Sequence, residues 1–120
     1  MTIGDICTLI ETWAPPAIAW EKDNVGLLIG SRGSRVRKAL VSHDVTPAVV
    51  DEAVSIGAGL IVCHHPLIFT PLRRIDPGTP AGRMIETLMR NRIGLYAAHT
   101  NLDFTGGGVS DTLARRLGIV

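Results

Sequence analysis

Cysteine and aromatic residues are scarce in this chain of 120 residues, which has two Cys, two Trp, two Phe and one Tyr. Cys7 and Cys63 make no zinc-ligand spacing, and nothing in the sequence indicates secretion. Reduced thiols in a cytoplasm are the expectation. With 4% aromatic against 46% hydrophobic residues, the core has to be built from aliphatic side chains. An excess of one charge is missing too: 12 Lys and Arg oppose 11 Asp and Glu, for a formal net charge of +1. That balance offers no footprint for nucleic acid and no pull toward an anionic membrane surface. No apolar run approaches the ~20 residues of a membrane-spanning helix. Acidic residues interrupt the N-terminal stretch, against a secretory signal. The length suits a single domain over residues 1–120, enough for a core but small for an enzyme with two substrates. Mean hydropathy of +0.27 is high for a lone domain and leads us to expect buried contacts between subunits.

All four histidines follow short apolar runs. Leu60-Ile61-Val62-Cys63 reads as a buried parallel strand that delivers His64 and His65 just before Pro66, where the ladder has to end. Gly94 to Ala98 is a second run, ending in His99, with Asp103 four residues on. Ala39 to Ser42 is a third, ending in His43-Asp44. Ligands in open α/β sheets bind at the carboxyl ends of strands, so His64, His65, His99 and Asp103 are candidates for one metal site. On a continuing strand His99 and Asp103 would lie about 13 Å apart. The chain therefore has to turn after Thr100, with Asn101 as the turn former. Imidazole with carboxylate suits a divalent zinc, manganese, iron or nickel ion better than calcium or magnesium. The ordinary alternative for a His-His pair is one ring buried and hydrogen-bonded, the other exposed. Side chains alternate along a strand, so Cys63 is expected in the core and not as a ligand.

Taken in order, Ile3, Ile6, Leu9, Ile10 and Trp13 predict a helix over residues 2–14 with Thr2 as its N-cap, stopped by Pro15-Pro16. Val25 to Gly30 predicts a strand. Asp23 and Asn24 before it are turn formers, or acceptors that orient a metal-binding histidine. The basic segment from Ser31 to Lys38 reads as a solvated turn. Thr46-Pro47 opens a helix through Ile56, closed by Gly57. Thr70 to Pro80 is a long, proline-rich loop, expected to cover a site mouth or a subunit contact. Arg73 and Arg74 in it are candidates to meet an anionic substrate, or are simply exposed. Helices follow through Met84 to Met89 and from Val109 to Leu117. The order helix, strand, strand, helix, strand, helix, strand, helix predicts an α/β fold, with a mixed or mostly parallel sheet flanked by helices. Gly118 is a natural helix terminator, and Ile119-Val120 looks like the start of another strand, as if the chain were truncated.

Four segments, in this order, carry a family resemblance: Asp23-Asn24-Val25-Gly26-Leu27, Asp44-Val45-Thr46, Cys63 to Phe69, and Ala98 to Asp103. They resemble the N-terminal part of the NIF-three-like dinuclear metal-centre proteins, labelled GTP cyclohydrolase type two homologues. The resemblance implies a ring-shaped hexamer with paired metal ions facing an internal cavity. By it, His64, His65 and Asp103 match metal ligands and His99 matches a histidine lining the site, with Asp23, Asn24 and Asp44 around it. Two departures stand out. Lys22 occupies a position where the family usually has tryptophan. The family completes its centre with a His-x-x-x-Glu pair near the C-terminus, whereas no histidine follows His99 here and no glutamate follows Glu86.

The first functional expectation is a hydrolase using two metal ions, bridged by Asp103, on a nucleotide-like small molecule. The alternative is a non-catalytic metal-binding or regulatory scaffold whose ring matters more than turnover. A mononuclear iron site of two histidines and a carboxylate is a third.

Overall fold

Four apolar tetrapeptides pair into one sheet: β1 (Gly26–Ile29), β2 (Ala39–Ser42), β3 (Leu60–Cys63) and β4 (Gly94–Ala97), in the order β1-β4-β3-β2. Strands β2, β3 and β4 are mutually parallel, and β1 closes one edge antiparallel to β4. The sheet is therefore mixed, with one antiparallel edge strand on a parallel core. The computed structural model describes residues 1–119.

Side chains alternate across the strands and feed two cores. Ile61, Cys63, Leu95 and Ala97 face one way, against Val50, Ala53 and Leu88. Those last three come from α2 (Pro47–Ser55) and α3 (Pro80–Arg90). Leu60, Tyr96 and the half-buried Val62 face the other way, onto Ile3 and Cys7 of α1 (Ile3–Trp13) and onto Leu102. Each fully buried Leu or Ile is worth about 1.5–3 kcal/mol of apolar burial. The shortage of aromatics is met as expected, since Tyr96 is the one aromatic residue among the largest buried side chains.

Helix starts follow capping chemistry. Thr2 and Asp5 make a capping box at α1, with Thr2 N–H donating to Asp5 Oδ2 at 2.7 Å. Thr46 and Thr79 cap α2 and α3, each followed by proline in the first turn. The loop before α3 ends in a tight turn, where Gly78 N–H donates to Asp76 Oδ1 at 2.8 Å. After Pro15 the chain makes a 3-10 turn over Pro16–Ile18.

One element goes beyond the expected order. The turn after Thr100 is a full helical turn, α4 (Thr100–Phe104), followed by α5 (Val109–Arg116). Asn101 is not an exposed turn former. It is completely buried inside α4 and donates from Nδ2 to the Ala14 carbonyl at 2.7 Å. Gly118, at φ +70°, ends α5 as expected. Ile119 N–H folds back onto the Ala114 carbonyl at 2.9 Å and finishes the helix cap. Val120, expected with Ile119 to start a strand, lies outside the described residues. Among those residues no helix is long and apolar enough to cross a membrane.

Candidate metal centre

Because β2, β3 and β4 run parallel, with Ser42 paired to Cys63 and Cys63 to Ala97, their carboxyl ends share one edge. The next residues gather all four histidines there. Ring centroids lie 4.3 Å apart for His43–His65, 5.0 Å for His64–His65, 5.2 Å for His64–His99 and 5.5 Å for His65–His99. Adjacent residues on a strand would point oppositely, but β3 stops at Cys63. The His64 and His65 N–H groups both turn to the His43 carbonyl, at 3.2 and 2.9 Å, which brings both rings to the same cluster.

For three of the four rings, those of His64, His65 and His99, an oxygen acceptor stands at Nδ1 and places a proton there. His64 Nδ1 sits 2.8 Å from the Ala98 carbonyl, which can only accept. His65 Nδ1 lies 2.7 Å from Asp44 Oδ1, and His99 Nδ1 lies 2.9 Å from Asp23 Oδ1. A neutral imidazole that donates through Nδ1 keeps its lone pair on Nε2. His64 Nε2 stands 3.5 Å from Asp103 Oδ1; when the ring is neutral these are two acceptors facing each other across a gap that a cation would satisfy. His64, His65 and His99 each offer a ring nitrogen, and these lie within 4.8 Å of one another.

Both supporting carboxylates are held ionised. Burial pushes the Asp23 carboxyl up, but hydrogen bonds from His99, from the Thr100 hydroxyl and from the Thr100 and Asn24 amides outweigh it. The net result lies below the ordinary value. The His65 hydrogen bond lowers Asp44 in the same direction. Asp23 also anchors α4: His99, its N-cap residue, supplies no side-chain cap, and the Thr100 N–H donates to Asp23 Oδ2 at 3.1 Å instead. Within α4 the Asp103 N–H reaches back to the His99 carbonyl at 3.1 Å, which returns Asp103 to the site.

The remaining candidates fall nearby or apart. Asn24 holds the chain after the His-His-Pro turn, donating from Nδ2 to the Ile68 carbonyl at 2.6 Å. Glu21, Lys22, Asp23, Asn24, Phe69 and Pro71 line an open cleft of about 270 Å³. Phe69 stands edge-on to His99 at 6.2 Å. Arg73 and Arg74 lie on the exposed loop and do not line that cleft. Cys63 is buried, with its thiol pushed up to about 12 by desolvation, and points into the core. His43 had no assigned role in the sequence, although it ends its strand just as the others do. Three imidazoles and a carboxylate, on rings fixed from behind, suit a borderline divalent ion such as zinc.

A sequence profile of Duf34/NIF3 (NGG1p interacting factor 3) matches residues 1–120. A Halalkalibacterium halodurans protein described as "GTP cyclohydrolase 1 type 2 homolog" is 46% identical over 114 residues, covering 95% of this chain and 31% of that protein. A Bacillus subtilis protein with the same description is 45% identical over 112 residues, covering 93% and 30%. The crystal structure of a Bacillus cereus protein related to NIF3 superposes with a TM-score of 0.93 at 46% identity, covering 98% of this chain and 33% of that one. The chain thus spans about a third of the length of these relatives, 31% and 30% of the two curated ones. With the profile matched over residues 1–120, the chain belongs to the Duf34/NIF3 (NGG1p interacting factor 3) family.

Proposed function

We propose that this chain supplies ligands to the divalent-metal centre of a metal-dependent hydrolase acting on a nucleotide-like substrate. The observation that carries this reading is the convergence of three rings whose ligand atoms lie within 4.8 Å of one another, each with Nδ1 held by an oxygen. His64, His65 and Asp103 hold the ion, with His99 beside them. Asp23 and Asp44 orient His99 and His65 as carboxylate partners of metal-binding imidazoles do. The chemistry an ion supplies in such a site is Lewis acidity and a lowered pKa for a coordinated water.

The nucleotide-like substrate class rests on the description of the relatives as GTP cyclohydrolase 1 type 2 homologs. The open cleft beside His99 offers such a molecule the Phe69 ring face, with Lys22 and Glu21 of opposite charge on its wall. Two ions per complete site, a ring-shaped hexamer and a cytoplasmic location belong to the same proposal.

The test is turnover of a nucleotide panel, GTP included, by zinc-, manganese-, iron- and nickel-loaded protein carrying this segment in its complete chain. Metal-dependent hydrolysis lost in His64→Ala is the expected result. Tight metal binding without turnover on any member of the panel would instead favour the non-catalytic scaffold.

A further inference from the structure

A second group of metal-ligating atoms lies on the outer rim of the same edge. His43, Asp44 and His65 each offer a ligand atom, and these lie within 4.8 Å of one another. All three residues are exposed, whereas His64 and His99 are half-buried. The two groups share His65. His43 is not loosely placed: its ring stacks on His64 at 5.2 Å with 20° between planes, and meets the edge of His65 at 4.3 Å. The other three rings each have Nδ1 engaged by an oxygen, but among the described residues no hydrogen bond occupies the His43 ring. Asp44 gives one oxygen to His65 and has its second free.

We propose that His43, Asp44 and His65 form an outer position for a divalent cation, an alternative to the inner position of His64, His65, His99 and Asp103. The inner half of this statement rests on the metal-centre reading above; the outer half does not. A neutral imidazole has one unprotonated nitrogen, so His65 serves one ion at a time. In the inner state its Nδ1 proton stays on the hydrogen bond to Asp44. In the outer state an ion facing Asp44 takes the Nδ1 lone pair, and the proton moves to Nε2. The two positions therefore exclude each other. The exposed one, with its ligands open to water, receives an ion first, and a rotation or tautomer change of His65 passes it inward. Two imidazoles and one carboxylate favour zinc or nickel over magnesium or calcium.

Isothermal titration with zinc alone tests this, with circular dichroism confirming that each variant keeps the parent fold. The double variant His64→Ala/His99→Ala is expected to keep one zinc equivalent, bound at least about tenfold more weakly than by the parent. Adding His43→Ala to the double variant is expected to abolish that binding. Because His43 is exposed, this last change does not threaten the fold, and His43→Gln in the same background repeats the test with a side chain of similar reach. A double variant that takes up no zinc, or a triple variant that still binds it, overturns the proposal. Loss of zinc from His43→Ala alone, with the double variant unchanged in affinity, would defeat the inner reading and leave the outer position standing.

Discussion

The Asp23 side chain is completely shielded from solvent and accepts hydrogen bonds from His99, Thr100 and the Asn24 amide. Asp23→Asn puts an amide in its place, and one of its N–H groups has to face a donor. His99 then loses the partner that fixes its tautomer. Zinc affinity is expected to fall about 10- to 100-fold, as when carboxylates behind metal-binding histidines are removed elsewhere. Competition against a chromophoric chelator measures this, and an unchanged affinity would show that His99 stands outside the site. Tyr96 makes a contrasting case. Its hydroxyl is buried with no hydrogen-bond partner among the described residues, and desolvation raises its pKa above the ordinary 10.0. An acid with a raised folded pKa contributes stability below its unfolded value and loses it as pH rises beyond, because the unfolded chain ionises first. Tyr96→Phe is therefore expected to flatten the decline in melting temperature above pH 10.0 and to cost nothing at neutral pH. A clear loss at neutral pH would reveal a partner for the hydroxyl. Neither environment was legible in the sequence. Asp23 could be read as turn former or second acceptor with equal reason, because its partners Thr100 and His99 lie more than seventy residues away.

Strands and long helices were legible because their signals are local. Leu60–Cys63 and Gly94–Ala97 are short apolar runs, and Thr46-Pro47 announces a helix start within its own segment, whereas Pro80, read as the end of a loop, is the first residue of α3 behind its Thr79 cap. Helix α4 was not, since five residues cannot display a helical period and its first amide is capped by remote Asp23. Yet α4 decides the site: without its turn Asp103 would run on along the strand direction, out of reach of His64. The start of α3 is equally specific. A Cβ on Gly82 would stand 1.9 Å from the Asp76 carbonyl oxygen, a backbone atom that cannot swing aside. Gly82→Ala is expected to destabilise the chain by about 1–3 kcal/mol through overpacking. Urea unfolding measures it, and a neutral result would mean that the 70–80 loop yields without cost.

At the level of the whole sheet, three parallel strands ending at one edge turn four scattered histidines into one cluster. The family resemblance and the α/β architecture were readable from ordered motifs, but the division of labour among the rings was not, because it depends on which oxygen stands behind each Nδ1. Exposed Trp13, Phe104, Leu113 and Leu117 give physical form to the high mean hydropathy. The function of this edge depends on whether it holds a metal ion. Plasma emission on zinc-loaded protein after dialysis against a weak chelator tests it directly, comparing the parent with His64→Ala/Asp103→Asn. Close to one zinc retained per parent chain, and little in the double variant, is the expected result. A parent that retains none, or a variant that retains as much as the parent, would contradict it.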